Sequence, residues 1–418
     1  MSAQFFSSLA DNALFVAAIE LLRTGGAPEW QRAALVPMFA LFYVILAPFV
    51  GAFADAVPKG RVMFVSNTIK VFGCLMMLFG THPLMSYAIV GLGAAAYSPA
   101  KYGILTELLP ASQLVKANGW IEGLTISSII LGVLLGGQLV GAKAAAMLLG
   151  MDFPFIDLGI DTPPEAAIAA IVFIYILAAA FNLKIPRTDA PLQPFSTNLV
   201  FLVKDFSRCN ARLWGDKLGQ ISLATTTLFW GVAGNLRYIV LAWAAAALGY
   251  GTTQASWLVG VVAIGTAVGA VVASMTTRLD RATNVIPLGI GMGLLVICMV
   301  AIDKVWIAAP FLILVGGLGG YLVVPMNALL QHRGHNLMGA GRSIAVQNFN
   351  EQACILGLGA FYAGMTIFGL SAFGAITIFG LVVAGMMEVI RRWHRHNLAQ
   401  HGVEVERLLA IARTDKHH

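Results

Sequence analysis

Apolar residues form twelve long stretches along this chain, and polar or charged residues collect in the segments between them. Each stretch holds roughly 17–25 residues, the length of an α-helix that crosses the hydrocarbon core of a bilayer. The pattern therefore predicts an all-α polytopic membrane protein with twelve transmembrane helices. The predicted spans are Phe5–Leu22, Ala33–Phe53, Val62–Gly80, Leu84–Ala100, Gly119–Val140, Ala166–Leu183, Thr225–Leu248, Trp257–Met275, Val285–Ala301, Ile307–Leu330, Ile344–Phe368 and Ala372–Val389.

The composition supports a membrane protein and argues against a soluble one. Hydrophobic residues make up 58% of the chain and charged residues only 11%, whereas soluble domains carry about 25% charged residues. The first apolar run has no basic region before it, so we expect a retained helix and not a cleaved signal. Three of the four cysteines lie in predicted spans, which leaves no disulfide framework.

The net charge of +6 is distributed unevenly between the two sides of the predicted membrane. If the N-terminus is inside, the inner connections and the C-terminal tail carry twenty Lys and Arg residues, against four on the outer side. This bias is the positive-inside rule of inserted proteins, so both termini should be cytoplasmic. Some of the basic residues should contact anionic membrane lipids, and we expect no nucleic-acid partner.

The chain divides near its middle. We predict an N-terminal six-helix bundle over 1–183, a central cytoplasmic linker over 184–220, a C-terminal six-helix bundle over 221–390 and a cytoplasmic tail over 391–418. An amphipathic stretch is predicted in the linker, around Asn198–Phe206. The halves share motifs at nearly constant offsets, which favours two structural repeats. These motifs are Gly91-Leu92-Gly93 with Gly317-Leu318-Gly319, Ala10-Asp11-Asn12 with Ala233-Gly234-Asn235, and Trp120-Ile121-Glu122 with Phe349-Asn350-Glu351.

The loop between the second and third predicted spans carries a family resemblance. It reads Gly51-Ala52-Phe53-Ala54-Asp55-Ala56-Val57-Pro58-Lys59-Gly60-Arg61. This segment resembles the signature loop of the major facilitator superfamily, from which Ala56 and Pro58 depart. The resemblance implies that Asp55, Lys59 and Arg61 form a gate, by holding the cytoplasmic face of the halves together in one conformational state. The alternative is that these residues serve only topology and turn formation.

Six longer strings in both halves carry a narrower resemblance. They are Ala10–Leu14, Gly91–Leu105, Leu114–Gly119, Leu228–Gly231, Val324–Gln331 and Ala345–Asn348. These strings are similar to the bacterial lysophospholipid transporters of the LplT family. The outer insertion around Gly141–Pro164 and the tail Arg391–His418 depart from that family.

The narrower resemblance implies a function. The protein would be a monomeric flippase that moves lysophospholipid from the outer to the inner leaflet of the bacterial inner membrane, where a separate acyltransferase restores the second chain. Acyltransferases of that pathway commonly use a His followed five residues later by Asp. None of the eight histidines of this chain has such an Asp, which agrees with a separate acyltransferase. We therefore expect no enzyme activity. We also expect no metal or other cofactor, because no metal-ligand cluster or P-loop motif is present.

Charged residues within the predicted spans are candidates for a substrate site. Each costs roughly 2.5–3.5 kcal/mol on insertion scales, so such residues should face an interior cavity. Arg237 offers a planar set of N–H donors to a phosphate. Asp11, beside Asn12, could pair with Arg237 or meet the amine of an ethanolamine head. The alternative is a permanent pair of Asp11 with Arg237 or Lys70 that only fixes packing.

Other polar residues admit two interpretations each. Lys70 could contact substrate, or it could pair with Glu20 or Asp55. The polar stretch of the eleventh span could line the cavity or bond neighbouring helices; its members are Gln347, Asn348, Asn350 and Glu351. Three residues near the inner ends of spans could belong to the gate or be surface charges. They are Lys101, Lys116 and Glu122.

Two rival functions remain open from the sequence. The first is a proton-coupled efflux carrier of the same fold for amphipathic compounds, in which Asp11 or Glu351 would exchange a proton with substrate. The second is a membrane scaffold for the acyltransferase, which would tolerate the loss of Asp11 and Arg237. Transport direction and dependence on a proton gradient distinguish these readings from a lipid flippase.

Overall fold

The computed structural model describes the backbone of residues 1–27, 29–150, 160–188, 190–250 and 252–414. Within these ranges the side chains of residues 29, 30, 32, 33, 237, 238, 252–254, 256 and 414 are not described. All regular elements in the described ranges are helical. The α-helices are α1 Ser2–Thr24, α2 Glu29–Ile45, α3 Ala47–Ala56, α4 Lys59–Leu78, α5 Pro83–Leu108, α6 Ala111–Leu139, α7 Ala142–Leu149, α8 Pro163–Leu183, α9 Leu199–Gly215, α10 Gly219–Leu248, α11 Thr252–Thr276, α12 Ile286–Cys298, α13 Val305–Met338, α14 Ala340–Ile367 and α15 Ala372–Thr414.

Each of the twelve predicted spans falls on a helical segment. Among the described residues, eight helices are long and apolar enough to cross a membrane, or up to ten if each of two bent pairs counts as one span. Helices α5 and α14 have the length of a span but a more polar composition. The span predicted over 285–301 corresponds to α12 with short 3-10 helices at both of its ends.

The second predicted span is broken in two. Helices α2 and α3 meet at Leu46 and are bent by 62°. Pro48 lies in the first turn of α3, where it lacks the N–H that a continuous helix would need and its ring clashes with the preceding turn. Pro48 therefore removes a helical hydrogen bond at the bend.

Two helices continue well beyond the predicted ends of their spans. Helix α13 ends at Met338 and not near Leu330, so that Arg333, predicted in a connecting loop, is a buried residue of a helix. Helix α15 runs from its span into the tail as far as Thr414, with non-helical backbone angles at His401. Apolarity marks only the part of a helix within the membrane, and polar residues extend both helices outside it.

The described chain forms two compact units. The first comprises Met1–Glu107, Ser127–Phe206 and Ala340–Ala345. The second comprises Leu108–Ile126, Ser207–Gly339 and Val346–His418. The two repeated six-helix bundles, with boundaries at 183 and 220, stay a prediction.

Small residues bring helices close together within each unit. In the first, Ala10, Ala13 and Leu14 of α1 belong to a buried cluster with Ile171 and Tyr175 of α8. A Cβ atom on Gly132 of α6 would lie 2.6 Å from a backbone oxygen of α1. In the second, Cβ atoms on Gly265 and Gly269 of α11 would collide with the backbone of α13. Glycines thus allow close helix contacts within both units.

Candidate functional site

A buried ion pair joins α1 and α4 in the first unit. The Nζ atom of Lys70 lies 2.8 Å from Oδ1 of Asp11 and donates a hydrogen bond of 2.9 Å to Oδ2. The lysine side chain is 1% exposed, whereas the aspartate side chain is 21% exposed. The pair neutralises a charge that would be costly alone in an apolar environment.

Further polar groups complete this cluster. The hydroxyl of Tyr175 in α8 donates to Oδ1 of Asp11 at 2.6 Å. Lys70 also donates to the hydroxyl of Ser7 at 3.0 Å, and Ser7 donates to Oδ1 of Asn67 at 2.8 Å. The ring of Tyr97 lies 5.1 Å from the Lys70 Nζ atom, within reach of a cation–π contact. Three helices thus hold the lysine in place.

Helical spacing explains why these residues meet. Ser7 and Asp11 are four residues apart on α1, and Asn67 and Lys70 are three apart on α4, so each pair lies on one face of its helix. The structure thus shows a pairing of Asp11 with Lys70, one of the arrangements the sequence left open. The other suggested partners of Lys70 are engaged elsewhere: Glu20 with Arg23, and Asp55 with Lys59.

The other candidate substrate residues have separate environments. Asn12 donates to the Ser8 carbonyl of its own helix at 2.8 Å, and its Cβ faces Gly132 of α6. Arg237 lies in α10, but its side chain is outside the described part of the chain. The predicted role of Arg237 as a phosphate ligand, and its suggested pairing with Asp11, therefore stay predictions.

An amide and carboxylate cluster joins α13 and α14 in the second unit. Nε2 of Gln347 donates to Oδ1 of Asn327 at 2.9 Å and to Oε1 of Glu351 at 2.7 Å. All three side chains are buried, while Asn348 is half-buried. Asn350 donates to Asn210 of α9 at 2.9 Å. Hydrogen bonding between helices, one of the two interpretations of this polar stretch, is present for Gln347 and Asn350.

Asp55, at the end of α3, binds the start of α14, and both belong to the first unit. Its carboxylate accepts hydrogen bonds from the backbone N–H groups of Gly341, at 2.6 Å, and Arg342, at 2.9 Å. The free N–H groups and the dipole of a helix start favour a carboxylate at this position. Lys59 lies 3.2 Å from the same carboxylate and 3.1 Å from that of Glu107. We call Asp55, Lys59, Glu107 and Arg342 the carboxylate clamp.

Glycines make the clamp sterically possible. A Cβ atom on Gly341 would lie 2.6 Å from Oδ1 of Asp55 and 2.7 Å from the backbone oxygen of Gly51. One on Gly51 would in turn lie 2.7 Å from Cβ of Ala345. The positive φ of Gly339, 91°, separates α13 from α14 just before this contact. Local sequence thus fixes both the break and the close approach.

The remaining gate candidates lie at separate positions on α4, α5 and α6. Arg61 and Lys116 are exposed. Lys101 is buried with its Nζ atom 4.1 Å from the ring centre of Tyr102. Glu122 is buried in α6. Their roles in gating stay predictions.

Comparison with known proteins identifies the family. The profile of the Major Facilitator Superfamily matches residues 1–357. The lysophospholipid transporter LplT of Escherichia coli O7:K1 (strain IAI39 / ExPEC) is 37% identical over 396 residues, which cover 94% of this chain and 95% of that protein. LplT of Escherichia coli (strain K12 / DH10B) matches with the same identity and coverage. The chain belongs to the LplT family of the major facilitator superfamily.

Solved structures agree with the superfamily fold. The Escherichia coli fucose:proton symporter FucP has a TM-score of 0.69 at 14% identity, covering 94% of this chain and 97% of that one. The human organic anion transporter MFSD10 has a TM-score of 0.68 at 12% identity, covering 94% and 98%. At such identities these structures show the fold alone. The prediction of an all-α major facilitator protein is confirmed.

For this member of the LplT family, the structure adds polar contacts that sequence reasoning missed. Arg333 of α13 binds Asp216 through two hydrogen bonds, of 2.6 and 3.2 Å. Asp216 also accepts from the backbone N–H of Gly219 at the start of α10, at 2.7 Å. Asn118 and Gln331 exchange two amide hydrogen bonds of 2.9 Å. An aspartate that accepts from the backbone N–H groups two and three residues further on forms an Asx turn, a local signal that could have indicated the first site.

A metal site has no support in the described part of this LplT-family chain. No group of three or more His, Cys, Asp or Glu residues could hold an ion there. The charged groups that the structure brings together are ion pairs and hydrogen-bonded networks, as in the Asp11 cluster and the carboxylate clamp. Such groups can bind an ionic head or hold two helices together without a metal.

Proposed function

We propose that this protein is a lysophospholipid transporter. It moves lipids such as lysophosphatidylethanolamine from the outer to the inner leaflet of the bacterial inner membrane by alternating access. The observation that carries the proposal is the 37% identity to LplT, which extends over 94% of the chain. The polar cluster around Asp11 supports it, because a lipid with a charged head needs polar groups at the depth of the membrane.

The proposed head-group site combines Asp11, Lys70 and Arg237. Asp11 is the partly exposed member of the buried ion pair, so its carboxylate is available to a cationic amine. Arg237 would bind the phosphate in the bidentate manner of a guanidinium. Lys70 would hold Asp11 in position and compensate its charge while the site is empty. The proposed secondary contacts are Asn12, Gln347, Asn348 and Glu351.

The proposed gate is centred on the carboxylate clamp. Asp55 satisfies two backbone N–H groups of α14, and Lys59 keeps the carboxylate oriented. Movement of the start of α14 would break both charge-assisted hydrogen bonds, so the clamp favours one conformational state. Four further residues are proposed to contribute to this gate: Arg61, Lys101, Lys116 and Glu122.

The proposed setting follows from charge and chemistry. The basic inner loops support a bacterial inner membrane protein with both termini on the cytoplasmic side. The protein would act as a monomer without a cofactor and without enzyme activity. A product with a single acyl chain calls for a separate acyltransferase, which we propose as the functional partner.

A liposome assay tests the proposal. Purified protein would be reconstituted, and transbilayer movement of labelled lysophosphatidylethanolamine would be followed with and without a proton gradient. We expect movement without a gradient, lost in Arg237→Ala and Asp11→Asn but retained in Lys304→Gln, which removes an exposed charge on the proposed outer side. Movement of amphipathic drugs that requires the gradient, without lipid movement, would instead establish the efflux carrier. Normal lipid movement by Arg237→Ala would contradict the proposed site.

A further inference from the structure

Helix α9 lies in the central linker and is amphipathic. It begins directly after Asn198, whose side-chain oxygen accepts a hydrogen bond from the N–H of Phe201 at 3.1 Å. Leu202, Cys209 and Leu213 are buried and recur at helical spacing, so they form one face. The prediction of an amphipathic stretch here is confirmed, and the helix extends nine residues beyond Phe206 to Gly215.

A basic stripe runs along the exposed side of α9. Lys204, Arg208 and Arg212 follow one another at intervals of four residues and are all exposed. Residues with this spacing lie in a row on one side of a helix. The single acidic residue of the helix, Asp205, binds Nε of Arg342 at 2.8 Å. Its charge is therefore already paired within the protein and does not neutralise the basic stripe.

Large apolar side chains are exposed in the first turns of the same helix. Leu199 is 64% exposed, Val200 is 63% exposed and Phe201 is 46% exposed. A basic face combined with exposed apolar residues is typical of a helix that lies in the headgroup region of a bilayer. A surface helix in contact with water alone would have no reason to present three adjacent large apolar residues.

The position of α9 relative to the spans is compatible with such a role. The linker before it is tied to the loop after α3, since the N–H of Gln193 donates to the Asp55 carbonyl at 2.9 Å. Asp205 is bound to the first turn of α14. The start of α9 therefore lies near the end of α3 and the start of α14, which are the predicted cytoplasmic ends of two spans.

We propose that α9 is an interfacial helix that binds anionic phospholipid headgroups of the inner leaflet. Lys204, Arg208 and Arg212 contact the phosphates, and Val200 and Phe201, which flank the basic stripe around the helix, insert between the upper parts of the acyl chains. The occupant is a membrane lipid because the basic and the apolar elements occur together, whereas a free phosphate would use only the first. The proposal rests on the membrane orientation of the proposed function but not on its substrate.

Hydrogen exchange in nanodiscs tests this inference without any transport measurement. Full-length protein would be placed in discs of phosphatidylcholine alone or with phosphatidylglycerol, and exchange would be followed by mass spectrometry over residues 199–212. We expect slower exchange with phosphatidylglycerol. The triple variant Lys204→Gln, Arg208→Gln, Arg212→Gln should lose that difference, because each basic residue near an anionic surface contributes about a five-fold factor in binding. A triple control, Lys304→Gln, Arg395→Gln, Arg407→Gln, should retain it.

Specific outcomes would overturn the proposal. They are equal exchange in both kinds of disc, an undiminished difference in the triple variant, or a difference abolished by millimolar inorganic phosphate, which would indicate a free-anion site. Lipid transport by the triple variant is measured in parallel. If the wild-type protein moved no lysophospholipid, the proposed function would be contradicted. The exchange experiment would still test lipid binding by α9, because it does not depend on transport.

Discussion

Lys70 lies 2.8 Å from the carboxylate of Asp11, and the two side chains differ in exposure: that of Lys70 is almost completely buried, whereas about a fifth of that of Asp11 is exposed. Separation of the pair would leave the buried Lys70 ammonium without a counter-charge. The partly exposed Asp11 carboxylate, in contrast, could accept a hydrogen bond from a ligand. This asymmetry divides the roles within the cluster. In the proposed site, Lys70 would position Asp11, and Asp11 would contact the ligand.

The Asp11 and Lys70 pair should be strongly coupled in stability. Asp11→Asn should lower the free energy of unfolding by about 3–5 kcal/mol, because it leaves the buried Lys70 without its charged partner. Lys70→Met should cost less, because the Asp11 side chain is partly exposed. The loss of stability in the double variant should be smaller than the sum of the two single losses by at least about 1 kcal/mol. Unfolding of the purified proteins in mixed micelles would measure these values.

A second pair on α1 provides the matched control. Glu20 and Arg23 also form an ion pair, but the arginine is 61% exposed. The cycle of Glu20→Gln and Arg23→Gln should therefore show a much weaker coupling than the cycle of Asp11 and Lys70. Equal coupling energies in the two cycles, or additive effects at Asp11 and Lys70, would contradict the structural assignment.

Gly341 should tolerate no side chain. Gly341→Ala places a Cβ atom within 3 Å of the Asp55 carboxylate and the Gly51 backbone, and we expect a loss of about 1–3 kcal/mol in stability. Gly357→Ala and Gly364→Ala on the same helix have open space around the new atom. Thermal unfolding should separate the first variant from the other two, and equal midpoints would refute the clamp geometry.

Asp55 should matter for transport more than an exposed aspartate does. Charge-assisted hydrogen bonds contribute about 1.5–3 kcal/mol, so Asp55→Asn should shift the population of conformational states about tenfold or more and slow lipid movement correspondingly. Initial rates in liposomes, normalised to inserted protein, would measure it. Asp303→Asn, at an exposed position, should keep the wild-type rate. Identical rates for both variants would remove the clamp from the mechanism.

The tail is a folded part of the second unit. Val405 is fully buried, whereas Val403, two residues away, is 86% exposed. Val405→Ser should cost about 2–3 kcal/mol, and Val403→Ser should be close to neutral. Arg413→Gln should cost less than about 1 kcal/mol, since the arginine that binds Asp280 is mostly exposed. Guanidinium or thermal unfolding would measure the three losses of stability. If the tail were not packed on the second unit, the three variants would have equal stability.

Hydrophobic runs predicted where the helices lie because burial in lipid requires about 17–25 consecutive apolar residues. They could not predict where α13 and α15 end, since helices continue through polar residues outside the membrane. The bend at Leu46 was within reach of the sequence, because Pro48 interrupts a helical pattern.

Two members of the Asp11 cluster could be predicted from the sequence, but their pairing could not. Asp11 and Lys70 attract attention as charges in apolar spans, yet they are 59 residues apart, and three candidate partners suited the lysine equally. Tyr175 gave no signal among the apolar residues of α8. Arg342, counted only as a basic residue of an inner connection, proved to bind both Asp55 and Asp205.

The partners of Asp55 at the start of α14 are backbone N–H groups and not only side chains. A substitution at position 341 or 342 changes the side chain but keeps the backbone N–H group. Only a substitution by proline removes one of these two donors. A genetic selection for loss of transport should therefore recover changes at Asp55 far more often than changes that remove its donors.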